Sequence, residues 1–204
     1  MLCEGMSLDQ LDRVFENLPI ITFNYDRCIE HYVAHWPTNY MLIDFDRTCR
    51  LTSRMKVFHP YGQVGKLPWQ DGPASAVAHG EPPTVQSLLQ VASQIRTFTE
   101  RVDDDAMLQE MRYALGMAQQ VVYLGFSFNQ MNMNLMQIER GKGEGRKTVY
   151  GTVYGMSGPN ASASRERIAL AMSTYLTGGL VDEMHLSGTA ANSLLNDYWY
   201  ALSQ

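Results

Sequence analysis

Long apolar runs, paired cysteines and patches of a single charge are all missing from this 204-residue chain. No apolar stretch approaches the roughly 20 residues that a helix needs to cross a bilayer. The opening Met1-Leu2-Cys3-Glu4-Gly5 lacks the basic and apolar regions of a secretory signal. A soluble protein of the cytoplasm, with no membrane partner, is therefore expected. The three cysteines, Cys3, Cys28 and Cys49, form no C-x-x-C pair. Their odd, scattered count argues against a disulfide framework or a zinc ribbon and fits a reducing compartment. Lysine and arginine number 16 against 21 acids, giving a net charge of −5. No basic stripe interleaved with aromatics occurs, so a nucleic-acid surface is not expected. The longest like-charge run, Asp103-Asp104-Asp105, suits the start of a helix, where the dipole favours acids. Internal repeats and low-complexity segments are also missing.

What is present reads as a globular domain. Hydrophobic residues make up 45% and charged residues 18% of the chain, outside the disordered range. The length allows one domain with a single sizeable core, or one domain with a small cap. Apolar spacing predicts a helix over Ser7 to Leu18, with Ser7 and Gln10 in capping-box spacing. Pro19 to Phe23 reads as a short buried strand. Asp26 can cap a following helix from Arg27 to about Trp36, which Pro37 ends. Met55 to Phe58 is a second strand candidate, running into the turn signal His59-Pro60-Tyr61-Gly62. Residues 65–83 form a long irregular stretch carrying Pro68, Pro73, Pro82 and Pro83, the kind of loop that covers a site or moves.

Helices are expected next at about Val85 to Glu100 and Asp105 to Gln119. The strand Val121 to Leu124 breaks at Gly125-Phe126-Ser127, and a Met-rich helix follows from about Asn129 to Arg140. Gly141, Gly143 and Gly145 turn the chain into a strand over Thr148 to Tyr154. Helix signals return over Ser164 to Leu176, stop at Gly178-Gly179, and resume from about Thr189 to Leu202. Short buried strands separated by helices call for an α/β fold with a mainly parallel sheet. In such sheets ligands bind at the carboxyl ends of the strands, which directs attention to Thr22 to Asp26 and to Gly125 to Ser127.

Those two segments and a third carry a resemblance. Thr22-Phe23-Asn24-Tyr25-Asp26 matches a T-x-N-x-D pattern. Val57-Phe58-His59-Pro60-Tyr61-Gly62 is an apolar strand running toward a His-Gly-type turn. Val121-Val122-Tyr123-Leu124-Gly125-Phe126-Ser127 is a later apolar strand ending in G-x-S. In this order and spacing they resemble the sirtuin-like NAD-hydrolase domain of bacterial anti-phage defence proteins, over most of the chain up to about Tyr154. The resemblance implies a Rossmann-like, mainly parallel sheet with helices on both faces. It also implies NAD as substrate, split into ADP-ribose and nicotinamide without a metal. Asn24 would hold a ribose hydroxyl or orient a water, and Asp26 would steady the nicotinamide side or brace the Asn24 loop. His59 would be the general base, an imidazole titrating near neutrality. Thr22, Phe23, Tyr61, Gly62, Gly125 and Ser127 would contact the cofactor. Bland readings stand beside these: a strand-to-helix turn capped by Asp26, and a turn at Gly125 to Ser127 that caps the next helix.

The chain departs from the family pattern at two places. Nothing before Thr22 supplies the Gly-rich turn whose amides cradle a pyrophosphate, and Gly141, Gly143 and Gly145 occur in the reverse order for that task. The expected His-Gly pair reads Tyr61-Gly62, so either Tyr61 or His59 takes the histidine's place, and a phenol is a poor base at neutral pH. The resemblance therefore implies the carboxyl-terminal two-thirds of such a domain, with a sheet expected to be incomplete at its first strand. A protein partner or a second copy would cover that edge. A non-catalytic module binding a nucleotide or a protein is the alternative. Protein deacetylation is disfavoured, because that branch's structural zinc needs four thiolates.

Other residues suggest less. His31 and His35 stand at i, i+4 without a Glu between them or a third ligand, and read as packing or surface histidines. Met131, Met133 and Met136 read as core filling. Cys28 reads as a buried thiol, Asp44 and Asp46 as solvated strand or loop residues, and His185 as isolated.

Overall fold

The computed structural model describes residues 10, 13–70, 77–82, 84–95, 106–138, 145–174 and 178–203. The chain divides into two compact units, Met1–Asp103 and Asp104–Gln204. Residues 7–9, 11 and 12 of the helix expected over Ser7 to Leu18 lie outside the described residues, as do Asp103 to Asp105, Gly141, Gly143 and Cys3; the helix is corrected over the rest, where residues 13–17 are turns.

In the first unit two short strands, β1 (Ile20–Ile21) and β2 (Val57–Phe58), run parallel, with Ile20 opposite Val57 and Ile21 opposite Phe58. The amide of Ile20 donates to the Lys56 carbonyl (2.8 Å) and that of Thr22 to the Phe58 carbonyl (3.0 Å). Both strands therefore end side by side, at Thr22 and at His59. Between them lie α1 (Cys28–Met41) and α2 (Phe45–Ser53). Helix α1 runs on through Pro37, correcting the stop expected there. Proline forfeits one backbone bond to the preceding turn, but the helix continues to Met41, where Leu42 in the left-handed region returns its amide to the Pro37 carbonyl. Asp44 is the exposed loop residue expected, and its carboxylate caps α2 by accepting from the Arg47 amide; Asp46 is corrected, since it lies in the first turn of that helix. Phe15, Ile43, Leu51 and Met55 form the core, with Ile29, Val33 and Trp36 packed on it. A third helix, α3 (Val85–Ala92), opens on a reciprocal Thr84–Ser87 capping box and stops well short of Glu100. The described part of residues 65–83 contains neither helix nor strand.

The second unit holds α4 (Ala106–Met117), β3 (Gln120–Tyr123), α5 (Gln130–Leu135), β4 (Lys147–Thr152), α6 (Gly158–Ala171), β5 (Ser173–Thr174), β6 (Gly178–Gly179), β7 (Val181–Ser187), α7 (Ala191–Asp197) and α8 (Trp199–Leu202). Its sheet is all parallel in the order β3-β4-β7, with Val121 opposite Val149 and Val149 opposite Met184. β5 and β6 make a separate antiparallel pair. β7 has no counterpart in the sequence reading, because Val181-Asp182-Glu183-Met184-His185 lacks clean alternation and remains partly exposed along its length. Helix α6 begins six residues before the expected Ser164, since Ser157 caps it by accepting from the Asn160 amide and Pro159 sits in its first turn. Leu108, Met111, Val149, Ile168, Met172 and Leu194 are fully or almost fully buried. Met133 and Met136 join them, whereas Met131 is 44% exposed.

The architecture is thus mixed α/β, with two small all-parallel sheets of two and three strands flanked by helices. This is the fold class expected, and it is compatible with a partial Rossmann-like arrangement. Among the described residues no helix is long and apolar enough to cross a membrane.

Candidate functional site

Parallel pairing of β1 and β2 sets the T-x-N-x-D and His-Pro-Tyr-Gly segments against each other at the carboxyl ends of their strands. Thr22 is buried, and its Oγ1 accepts from the Asn24 amide (3.3 Å). His59 is 8% exposed, and its Nδ1 lies 3.1 Å from the Asn24 carbonyl. A carbonyl can only accept, so Nδ1 carries the hydrogen and donates. The Asn24 main chain is therefore held at its amide and at its carbonyl, while the side chain stays exposed at the strand end. Phe23 and Tyr61 meet edge to face with centroids 5.6 Å apart. The Val64 amide donates to the Tyr25 carbonyl (2.9 Å), tying the two segments once more.

Asp26 is exposed, and its Oδ1 accepts from the Cys28 amide (3.0 Å), a local turn leading into α1. That bond holds its carboxyl below the usual range, and the charge of His59 adds to the effect against the opposing cost of partial burial. The bland reading of Asp26 as a helix-leading residue thus describes its bonds. The Tyr61 phenol is pushed up by burial, with Tyr25 adding, which takes it further from use as a base at neutral pH. Gly62 has φ +80°, and a Cβ there would lie 1.9 Å from the Gln94 carbonyl oxygen. Only glycine fits this backbone against residues 94–95, so one face of Gly62 is occupied by protein.

Two charged residues that sequence reasoning missed lie beneath this turn. Glu30 is 1% exposed, and its Oε1 sits 3.0 Å from His59 Nε2. Its other oxygen, Oε2, has no hydrogen-bond partner among the described residues. Arg27 is 5% exposed and donates through one NH group to the carbonyls of Lys66 and Val77. Burial pulls its guanidinium down from the ordinary value, and the Glu30 carboxylate works in the opposite sense. A signal for Glu30 existed: it shares the buried face of α1 with Ala34 and Pro37, at i, i+4 and i+7, where an acid is out of place. A cavity of about 220 Å³ lies beside it, lined by Glu30, Thr52, Gln63, Lys66 and Gln70 among others.

On the same helix His31 and His35 gather with His79, Trp69 and Phe45. The His31 and His79 rings stack at 3.9 Å and 10°, and His31 and His35 are 4.3 Å apart. Burial lowers the His31 pKa, with His79, His35 and Arg27 adding. Among the described residues no group of three His, Cys, Asp or Glu side chains is placed to hold a metal ion. Cys28 is exposed rather than buried, and its thiol is pushed up by its hydrogen bond with Asp26, which leaves it a poor nucleophile.

Gly125 and Ser127 belong to the second unit. The Gly125 amide donates to Thr152 Oγ1 (2.9 Å), which links the carboxyl ends of β3 and β4. Its φ is +60°, and apart from its own chain neighbours no described atom lies within 4 Å of where a Cβ would stand. Ser127 is exposed and its Oγ accepts from Asn129 (3.4 Å). It is Asn129 that caps α5, accepting from the Asn132 amide (2.8 Å). Phe128 between them is fully buried with φ +53°, its carbonyl held by Arg167 (2.7 Å). His185, read as isolated, stacks on Tyr150 at 5.2 Å and pairs with Glu183 at 3.0 Å.

Comparison with protein-family models, with curated proteins and with solved structures finds no match for this chain.

Proposed function

We propose that this chain is a sirtuin-like NAD-binding protein that hydrolyses NAD to ADP-ribose and nicotinamide when its site is complete. The observation that carries the reading is the convergence of two of the three resembling segments. Thr22 to Asp26 and His59 to Gly62 meet at the carboxyl ends of parallel strands, joined by the His59–Asn24 bond. Strand ends of this kind are where α/β sheets bind ligands.

In the proposed reaction the bond between the ribose C1′ and the nicotinamide nitrogen breaks, and its electron pair leaves with nicotinamide. A water oxygen bonds to C1′ and releases one proton to the surrounding solvent. Asn24, exposed on a main chain pinned at both ends, would orient that water or a ribose hydroxyl. Asp26, kept ionised by the Cys28 amide, would favour the positive charge that builds on the sugar. Phe23 and Tyr61 would supply apolar cover. The resemblance assigns Gly125 and Ser127 to the cofactor as well.

One observation favours a second reading, binding without hydrolysis: both ring nitrogens of His59 are engaged, one by a carbonyl and one by Glu30. A base must reach the proton it takes. The test is nicotinamide release from NAD by the purified chain, beside Asn24→Ala. Release that the variant loses supports hydrolysis. Saturable NAD binding without release supports the second reading, and neither binding nor release would sink both.

A further inference from the structure

A buried carboxylate on the inner face of a helix requires a reason, because an isolated ionised carboxylate in an apolar setting is costly unless it is paired. Among the described residues Glu30 has a single hydrogen-bond partner, the Nε2 of His59 at 3.0 Å. The other ring nitrogen of His59 donates to the Asn24 carbonyl at 3.1 Å. The three groups form one line: carboxylate, imidazole, main-chain carbonyl. The hydrogen on Nδ1 is fixed by the carbonyl, so Nε2 and Oε1 share one proton. With that proton on nitrogen the pair is an imidazolium and a carboxylate; with it on oxygen, an imidazole and a carboxylic acid. Both assignments leave the pair neutral overall. Arg27 nearby, held by the Lys66 and Val77 carbonyls, adds a positive charge beside it.

We infer that Glu30 is the positioning residue of this site: it fixes the His59 ring, and through that ring it holds the Asn24 main chain. Orientation of an imidazole by an acid on its far nitrogen determines which nitrogen carries hydrogen and where the ring points. Here the nitrogen so directed grips the loop that presents Asn24, whose amide is separately held by Thr22 Oγ1. Without Glu30 the His59 ring can rotate about its side-chain bonds, and the Asn24 carbonyl loses its partner. The inference makes Asn24 the residue that acts and Glu30 the residue that aims it. Its consequence for turnover rests on the NAD-hydrolysis reading; the geometric claim about His59 does not.

The experiment compares wild type, Glu30→Gln, Glu30→Asp and Glu30→Ala. The first readout is the His59 ring N–H in nitrogen-15 NMR, with amide exchange at Asn24 and Tyr25. The wild type should show a protected Nδ1–H. Glu30→Gln can still bond Nε2 and should retain that signal. Glu30→Asp keeps the charge but is one methylene too short, so it should lose the signal, as should Glu30→Ala. Amide exchange in the 24–25 loop should then rise about tenfold or more, while the amides of β4 keep their protection. A protected Nδ1–H that persists in both Glu30→Asp and Glu30→Ala would overturn the inference. Should Glu30→Ala fail to fold, Glu30→Asp against Glu30→Gln decides on its own.

The second readout is nicotinamide release. The expected result is a kcat roughly tenfold or more lower in Glu30→Asp with KM nearly unchanged, recovered largely in Glu30→Gln. An active wild type whose Glu30→Asp variant keeps full kcat also overturns the role. A wild type that releases no nicotinamide defeats the hydrolysis reading, and the NMR result then still decides for or against Glu30.

Discussion

The two units bury polar and apolar side chains in different proportion, although the second also buries Asn132, Thr152 and Ser164. In the first, Arg27, Glu30, Thr22, Thr48, Thr52 and His59 are all buried, around strands only two residues long. In the second, a sheet with strands of four, six and seven residues packs Phe128, Val149, Ile168, Met172 and Leu194 at full burial. Its fully buried Lys147 serves a local end: Nζ donates to the Gly116 and Ala118 carbonyls at 2.6 Å each, where α4 runs out of amide partners. Apolar burial contributes stability in proportion to area and asks little of geometry. A buried polar network gives less net stability and is costly when any member is unmatched, but it fixes positions. The difference suggests that the second unit is built to hold together and the first to hold particular groups in place.

The comparison is broken most strongly by removing one apolar side chain from the second unit. Phe128→Ala should cost about 3–5 kcal/mol, the usual range for a fully buried aromatic, read as a lower midpoint in urea unfolding. In the first unit the corresponding test is a pair of variants. Glu30→Met alone leaves the His59 Nε2 unmatched and should cost about 3 kcal/mol. Glu30→Met with His59→Phe removes both polar partners, and stability should return to within about 1–2 kcal/mol of wild type, because apolar replacement of a buried pair is often neutral. A double variant as unstable as the sum of its parts would show that the network is there for stability after all.

Lys147 offers a sharper, smaller test. Lys147→Met keeps most of the apolar stem but leaves the Gly116 and Ala118 carbonyls without this donor, which should cost about 2 kcal/mol. Burial pulls the Lys147 ammonium below its ordinary pKa, so the unfolded chain holds that proton more firmly. The destabilisation arising from this burial is fully present below the lowered folded value, fades as pH rises from there to the ordinary lysine value, and is gone above it. Unfolding midpoints of wild type and Lys147→Met followed toward alkaline pH would show the gap between them changing.

The sequence was most legible where local chemistry decides structure. The strands at Ile20 and Val121, the His59 to Gly62 turn and the glycine at 62 follow from short apolar runs bounded by turn residues. Pro37 misleads because a proline's local preference was overridden by burial of the Glu30, Ala34 and Pro37 face. β7 escaped because its charged residues belong to a strand whose side chains stay partly in solvent. For the candidate site, the residues lying on the T-x-N-x-D motif and the later turn could be named, but their bonds could not. The Glu30–His59 link joins positions 29 residues apart, and only the pairing of β1 with β2 brings them together. His79 likewise reaches His31 across 48 positions of chain (79 − 31).

That histidine cluster gives the smallest predicted effect, and one that separates it from the Glu30 network. His31 is kept below its ordinary pKa by burial first, then by His79, His35 and Arg27, with Phe45 and Trp69 completing the surroundings. A histidine lowered in the fold binds its proton more readily when unfolded. The stability it contributes is therefore intact above the unfolded value of about 6.5, and is lost as pH falls through that value toward the folded one. Urea midpoints at about pH 8 and about pH 5.5 should differ in the wild type, with the lower stability at the acid end. His31→Phe keeps the aromatic packing against His79 and removes the titration, so it should narrow that difference while leaving the His59 ring N–H signal in place. If the acid sensitivity survives His31→Phe unchanged, the cluster is packing alone, and the pH response of the first unit must arise from another of its buried polar groups.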